Sequence, residues 1–271
     1  MNALGKRILT AVVLLPPLIG AVLLGKGWPF AILVGTVTVL CAGEYFRMFF
    51  STARDRWSGV AVTGLIYLSG ILLPFPAAGA AVLCGVALAA FHFLAGGGSP
   101  GEKARGAALA ALGTVYIGGF LSTYPRIIDL PAGERWIFLG LVAVFAGDTF
   151  AYIVGKRFGK RPLSPKISPN KTVEGAIGGL AASVLLGTGY GALFLPEVLP
   201  WFVALGSAVI GIAGQAGDLF ESLLKRAAGV KDSGRLLPGH GGMFDRADAV
   251  ISAGPVLYLF ALVAPLAGAP G

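Results

Sequence analysis

Asp218, Glu221, Ser222 and Lys225 lie in the stretch Gly217-Asp218-Leu219-Phe220-Glu221-Ser222-Leu223-Leu224-Lys225-Arg226, at the end of an apolar run. On a helix turning about 100° per residue, Glu221, Ser222 and Lys225 fall within about 60° of Asp218. Two carboxylates, a hydroxyl and an ammonium thus share one stripe. Such a stripe can hold a cation and an anionic ligand. It can also be a surface row of i, i+4 pairs, with Glu221 joined to Lys225. An acid closing an apolar run favours the first reading.

Further along stands Asp245-Arg246-Ala247-Asp248, whose aspartates are i, i+3 and share a helix face. Carboxylate oxygens from two helix ends, with no soft ligand beside them, suit Mg²⁺, which keeps waters and takes other ligands from substrate phosphates. Between the two acidic clusters runs Gly229-Val230-Lys231-Asp232-Ser233-Gly234-Arg235, then Pro238-Gly239-His240-Gly241-Gly242. Glycines around a histidine permit backbone conformations in which successive N–H groups converge on an anion. Beside Lys225, Arg226, Lys231 and Arg235 this looks like a phosphate cradle. His240 can serve there as metal ligand, general base or phosphate donor; with no cysteine nearby, zinc is disfavoured. Asp148, in Ala146-Gly147-Asp148-Thr149, is a further acid flanked by apolar sequence, a candidate metal ligand or a structural acid between helices. Lys156, Arg157, Lys160, Arg161, Lys166 and Lys171 crowd the segment that ends in Ser168-Pro169-Asn170-Lys171-Thr172-Val173-Glu174-Gly175. Asn170, Lys171 and Glu174 stand at the mouth of an apolar run, either as ligand contacts or as a helix-capping pattern. Acids for a metal, cations for phosphates and a glycine turn together suggest phosphoryl or nucleotidyl transfer, whose transition state needs charge neutralisation and alignment more than covalent chemistry.

The elements that must position these residues are membrane helices. The chain has 271 residues, 56% apolar and 13% charged. A soluble domain carries about 25% charged residues. The deficit excludes a water-facing surface of this size, and with it disorder and a disulfide scaffold. A spanning helix needs about 20 mostly apolar residues. Nine runs qualify: Ile8–Leu24, Pro29–Phe46, Gly59–Leu73, Ala77–Leu94, Gly106–Tyr124, Trp136–Gly155, Thr172–Leu195, Trp201–Phe220 and Ala249–Ala267. The first resembles a signal peptide but lacks a small-x-small cleavage site, so it reads as a retained span. With nine spans, 18 of the 21 Lys and Arg lie on the face of the N-terminus, which puts the N-terminus inside and the C-terminus outside. The expected fold is an all-α polytopic integral membrane protein. Residues 1–135 form a scaffold of about five spans. Residues 136–271 form a catalytic region of about four spans, with cytoplasmic loops 156–171 and 221–248. The formal charge of +8 fits topology and anionic headgroups better than nucleic acid. Cys41 and Cys84, both in apolar runs, read as small buried hydrophobes.

Residues 222–248 read Ser-Leu-Leu-Lys-Arg, then after four residues Lys-Asp-Ser-Gly, then after two Leu-Pro-Gly-His-Gly-Gly-Met-Phe-Asp-Arg-Ala-Asp. This resembles the signature of the phosphatidate cytidylyltransferases (CDP-diacylglycerol synthases) at every charged position. Gly-Asp-Thr-Phe-Ala-Tyr at 147–152 and Ser-Pro-Asn-Lys-Thr-Val-Glu-Gly at 168–175 resemble the same family. The resemblance implies transfer of the cytidylyl group of CTP to phosphatidate, giving CDP-diacylglycerol and pyrophosphate. It also implies Mg²⁺, with a second cation left open, and a homodimer; the charge split puts the site on the cytoplasmic side of the inner membrane. Asp218 and Asp245 would then hold the metal, with the carboxylates of Asp148, Glu221 and Asp248 beside them. Lys225, Arg226, Lys231, Asp232, His240 and Asp248 would form the catalytic set. Asn170, Lys171, Glu174, Ser222, Gly241, Gly242 and Arg246 would bind nucleotide or phosphate. Two rival classes are a CTP-dependent lipid-alcohol kinase, which should lack the full signature, and a cation-coupled transporter, which should carry acids near the midplane of both halves.

Overall fold

Apolar runs broken by Pro, Gly and charge become long helices, because within a bilayer only internal hydrogen bonds satisfy the backbone. The computed structural model describes residues 19–23, 27–236 and 241–267. Its helices are α1 (Trp28–Phe49), α2 (Ala53–Leu72), α3 (Phe75–Leu94), α4 (Pro100–Gly113), α5 (Thr123–Ile128), α6 (Gly133–Phe158), α7 (Val173–Phe194), α8 (Pro200–Ala227) and α9 (Phe244–Ala267). Among the described residues, seven helical stretches are long and apolar enough to cross a membrane. The chain is an integral membrane protein of all-α type. The expected first span, Ile8–Leu24, lies outside the described residues except for 19–23. The expected third span is the helix α2, which is not among the seven: Arg54, Asp55 and Arg56 in its first turn dilute its apolar stretch.

The starts of the helices follow local chemistry. Ser99 caps α4 through a reciprocal box with Glu102, and Pro100 occupies the first turn. Thr52 caps α2, its Oγ accepting the Asp55 N–H. The span expected at Gly106–Tyr124 is helical except at Ser122, and it passes through a π-helical turn at Thr114–Gly119 between α4 and α5. Tyr45 lies against Gly113 just before that turn, where a Cβ would overlap the Tyr45 ring.

The described residues form two compact units. The first runs to Arg126 and takes in Ala228–Ala247 as well; the second comprises Ile127–Ala227 and the chain from Asp248 onward. Tyr45 and Phe46, both fully buried, centre the core of the first, with Phe244 edge-on to Tyr45. Cys41 is buried there as expected, but Cys84 is exposed on α3, whose outward face also carries Leu83, Leu88 and Phe91; in a bilayer an apolar residue gains nothing by turning inward.

In the second unit α7 packs between α6 and α8 along Gly175, Gly179, Ser183, Gly187 and Gly191, small residues four apart on one face. A Cβ at Gly179 would sit 2.6 Å from the Gly147 carbonyl, and one at Gly187 2.2 Å from Ser207 Oγ. Ser183 Oγ donates to the Ala143 carbonyl at 2.7 Å. Small residues and interhelical hydroxyl bonds are what hold helices together in lipid. The basic segment after α6, expected as a plain loop, is an antiparallel hairpin of β1 (Pro162–Ser164) and β2 (Ser168–Thr172).

Candidate active site

Helix α8 continues unbroken to Ala227, so the stripe expected from spacing exists. Lys225 Nζ is 2.6 Å from Glu221 Oε2, and Glu221 is only 1% exposed. Lys171, at the end of β2, reaches across to Asp218, with Nζ 2.5 Å from Oδ2. Asp248 in α9 completes a cluster: ligand oxygens of Asp218, Glu221 and Asp248 all lie within 4.8 Å of one another. Gly217 makes this closeness possible. A Cβ there would meet the Asp248 carbonyl at 2.7 Å and Ser252 Oγ at 2.3 Å, so the two helices touch backbone to backbone beside the acids.

The donor set fits a hard divalent cation. It consists of carboxylate oxygens only, from two helices. With all three ionised, Lys171 and Lys225 leave the cluster one charge negative, which a bound cation offsets. The family resemblance pairs Asp218 with Asp245 as ligands and puts Asp248 among the catalytic residues; the structure groups Asp248 with Asp218 and Glu221.

Beside the cluster opens a cavity of 660 Å³. Asp148, Tyr152, Lys156, Asn170, Lys171, Gln215 and Asp218 line it. Asp148, Asn170 and Lys171 thus meet as expected. Tyr152, Lys156 and Gln215 join them as lining residues beyond the expected set. Gln215 had a signal: it is a lone amide three residues before Asp218, hence on the same helix face. Its Nε2 donates to the Ala176 carbonyl at 3.1 Å.

Glu174, expected to contact nucleotide, fastens the base of the hairpin. Its carboxylate accepts from the N–H groups of Lys160 and Arg161 at 2.9 and 3.1 Å and from Arg161 Nε at 3.1 Å. The helix cap at this mouth is Thr172, whose Oγ accepts the Gly175 N–H, because Asn170 is still within β2. Arg226 Nε donates to the Ile167 carbonyl at the hairpin tip. Ser222 is part-buried on α8.

The remaining candidates belong to the first unit. Lys231, Asp232 and Arg246 are exposed. His240 lies outside the described residues. Gly241 has φ +83°, a left-handed conformation natural to glycine. Asp245 accepts from Ser233 N–H at 3.0 Å and Gly242 N–H at 2.8 Å. The Gly242 amide, expected to face a phosphate, is therefore directed to the chain's own carboxylate. An acid that spacing left unassigned, Glu44, is 5% exposed here and accepts from Ser233 Oγ and Phe244 N–H.

This chain matches the cytidylyltransferase family over residues 5–264. The chain belongs to the cytidylyltransferase family. Within it, the chain is 34% identical over 285 aligned positions to the phosphatidate cytidylyltransferase of Brucella abortus, covering 97% of this chain and 95% of that one. The phosphatidate cytidylyltransferase of Synechocystis is 32% identical over 300 positions, covering 95% and 96%. That of Bacillus subtilis is 42% identical over 148 positions, 54% of this chain and 55% of the relative. The match to the cytidylyltransferase family takes in every residue of the acidic cluster and the cavity.

Proposed function

We infer that the protein transfers the cytidylyl group of CTP to phosphatidate, releasing pyrophosphate and forming CDP-diacylglycerol. The observation that carries this is the Asp218–Glu221–Asp248 cluster with Lys171 and Lys225 bound to it, inside a chain that matches cytidylyltransferases along nearly its whole length. The relatives named phosphatidate cytidylyltransferase supply the acceptor.

A phosphatidate phosphate oxygen, already anionic near neutral pH, attacks the α-phosphorus of CTP. A new P–O bond forms and the bond to the β-phosphate oxygen breaks, with pyrophosphate carrying away the electron pair. No side-chain nucleophile is required, so the protein's task is positioning and charge. Asp218, Glu221 and Asp248 are the residues that would hold Mg²⁺, and Asp148 and Asp245 are further candidates. Mg²⁺ supplies charge neutralisation on phosphate oxygens. Lys171 lines the cavity as a cation for the triphosphate, and Asn170 offers an amide beside it. Lys225, Arg226 and Lys231 are the cations assigned to offsetting charge on the leaving pyrophosphate, with Asp232 and Arg246 as further polar candidates. His240, Gly241 and Gly242 serve the phosphates, Ser222 adds a hydroxyl, and Glu174 acts by holding the hairpin.

The site faces the cytoplasm in this reading, where CTP meets a headgroup of the inner leaflet without extraction of the lipid. The 18-to-3 division of basic residues supports that side, with nine spans and an inside N-terminus. Residues 136–271 supply most of the chemistry and 1–135 the scaffold. The family resemblance adds a homodimer.

The test follows radiolabelled CTP with purified protein, Mg²⁺ and phosphatidate in detergent micelles. A labelled CDP-lipid and free pyrophosphate are expected. Formation of CDP with a phosphorylated lipid alcohol would establish the kinase class instead. Asp218→Asn should remove at least about 10²-fold of turnover with folding retained, the scale for losing a charge-stabilising group; near-parental turnover would strike Asp218 from the site.

A further inference from the structure

A carboxylate is costly to remove from water, and it stays inside a membrane protein only where specific donors hold it. Glu44, on α1, is such a group. Its Oε2 accepts from Ser233 Oγ at 3.0 Å and from Phe244 N–H at 2.9 Å, and all three residues are buried. Backbone closes around it as well. A Cβ at Gly234 would fall 2.3 Å from Glu44 Oε1, and one at Gly242 would fall 2.3 Å from Oε2. Oε1 has no hydrogen-bond partner among the described residues. An apolar side chain would fill the same space but would accept from neither donor.

The two donors are the points from which Asp245 is aimed. Phe244 precedes it in the chain. Ser233 gives its hydroxyl hydrogen to Glu44 and its N–H to Asp245, at 3.0 Å to Oδ2 and 3.3 Å to Oδ1. Glu44 and Asp245 therefore share Ser233, one on each of its two donors. We propose that Glu44 is a positioning residue for the reaction: through Ser233 and Phe244 it sets the direction of the Asp245 carboxylate and the shape of the Gly241-Gly242 turn. The catalytic consequence rests on the role given to Asp245 and this turn above. The physical link does not, because it consists of hydrogen bonds within one unit. Nothing in the spacing around Glu44 announces it, since its partners lie 189 and 200 residues away.

The experiment compares parent, Glu44→Gln and Ser233→Ala as full-length proteins in detergent, with Asp245→Asn as reference. Gln keeps size and one acceptor but loses the charge that strengthens both bonds. Amide hydrogen exchange at Ser233, Gly242 and Phe244 should speed up at least about tenfold in Glu44→Gln. The Mg²⁺ and CTP concentrations for half-maximal activity should rise about 10–100-fold, the usual penalty for losing an outer partner of an active carboxylate. Turnover at saturation should fall less. The double variant should resemble the worse single one, since both act through the same link. Unchanged exchange at these amides overturns the proposal. So does a lowered melting temperature with unchanged half-saturation, the sign of a purely structural acid. If Glu44→Gln fails to fold, Ser233→Ala tests the link with the acid in place. Full activity of Asp245→Asn would refute Asp245's part in the reaction and with it Glu44's catalytic consequence, while the exchange data still judge the clamp.

Discussion

Lys225 shows how one side chain answers to both stability and chemistry. Spacing alone treats its pair with Glu221 as a surface i, i+4 contact, worth a few tenths of a kcal/mol. Burial changes that. Glu221 is 1% exposed, so removing the ammonium takes a counter-charge from a desolvated carboxylate and costs more than a surface pair would. Lys225→Ala should accordingly lower the melting temperature and, in protein assayed while still folded, reduce kcat for CDP-lipid formation by about 10²–10³. Lys225→Arg should recover only part, because a planar fork does not replace a compact ammonium. Parental turnover in the alanine variant would leave Lys225 as the partner of Glu221 alone and move the triphosphate towards Lys171. At this scale most charged groups of the second unit are legible in the sequence. Glu44 is not, because its partners lie 189 and 200 residues away.

The elements are held by small residues more than by side-chain bulk. Gly179 shares its face with Gly175, Ser183, Gly187 and Gly191, and a methyl there would meet the Gly147 carbonyl at 2.6 Å. Because that obstacle is backbone, α6 and α7 must separate to admit it. Gly179→Ala should destabilise the protein by about 1–3 kcal/mol, the range for overpacking, and should loosen the cavity wall carrying Asp148 and Tyr152. Gly189 lies on the same helix with open space around it, and Gly189→Ala should be neutral or slightly stabilising. Melting curves in one detergent decide this; equal curves for the two variants would show that close approach does not hold these helices. The helices themselves were readable because length and hydropathy mark them. The hairpin at 162–172 and the π-turn at 114–119 were not, since a polar segment rich in Lys and Pro carries no two-residue alternation, and a π-turn differs from an α-turn only in its bond register.

For the whole molecule, the proposed orientation rests on charge. If the basic loops stay inside, a reporter active only outside the cytoplasm, fused after Gly271, should be active, and one placed within Gly96–Gly101 should be silent. The reverse pair of results would sink the nine-span arrangement and move the acidic cluster to the opposite face from CTP.

The amino-acid sequence alone carried the solvent, most of the membrane helices and the chemical class. Those depend on quantities local in the chain: apolar run length, charge count, and a signature confined to residues 222–248. Partnership was decided by tertiary structure. Asp248 joins Asp218 and Glu221 because Gly217 lets α8 and α9 touch, Glu174 ties down a hairpin, and Glu44 reaches Ser233. A hydrogen bond or a shared charge acts over a few ångströms of space, and spacing along the chain measures that distance only within a single helix or turn.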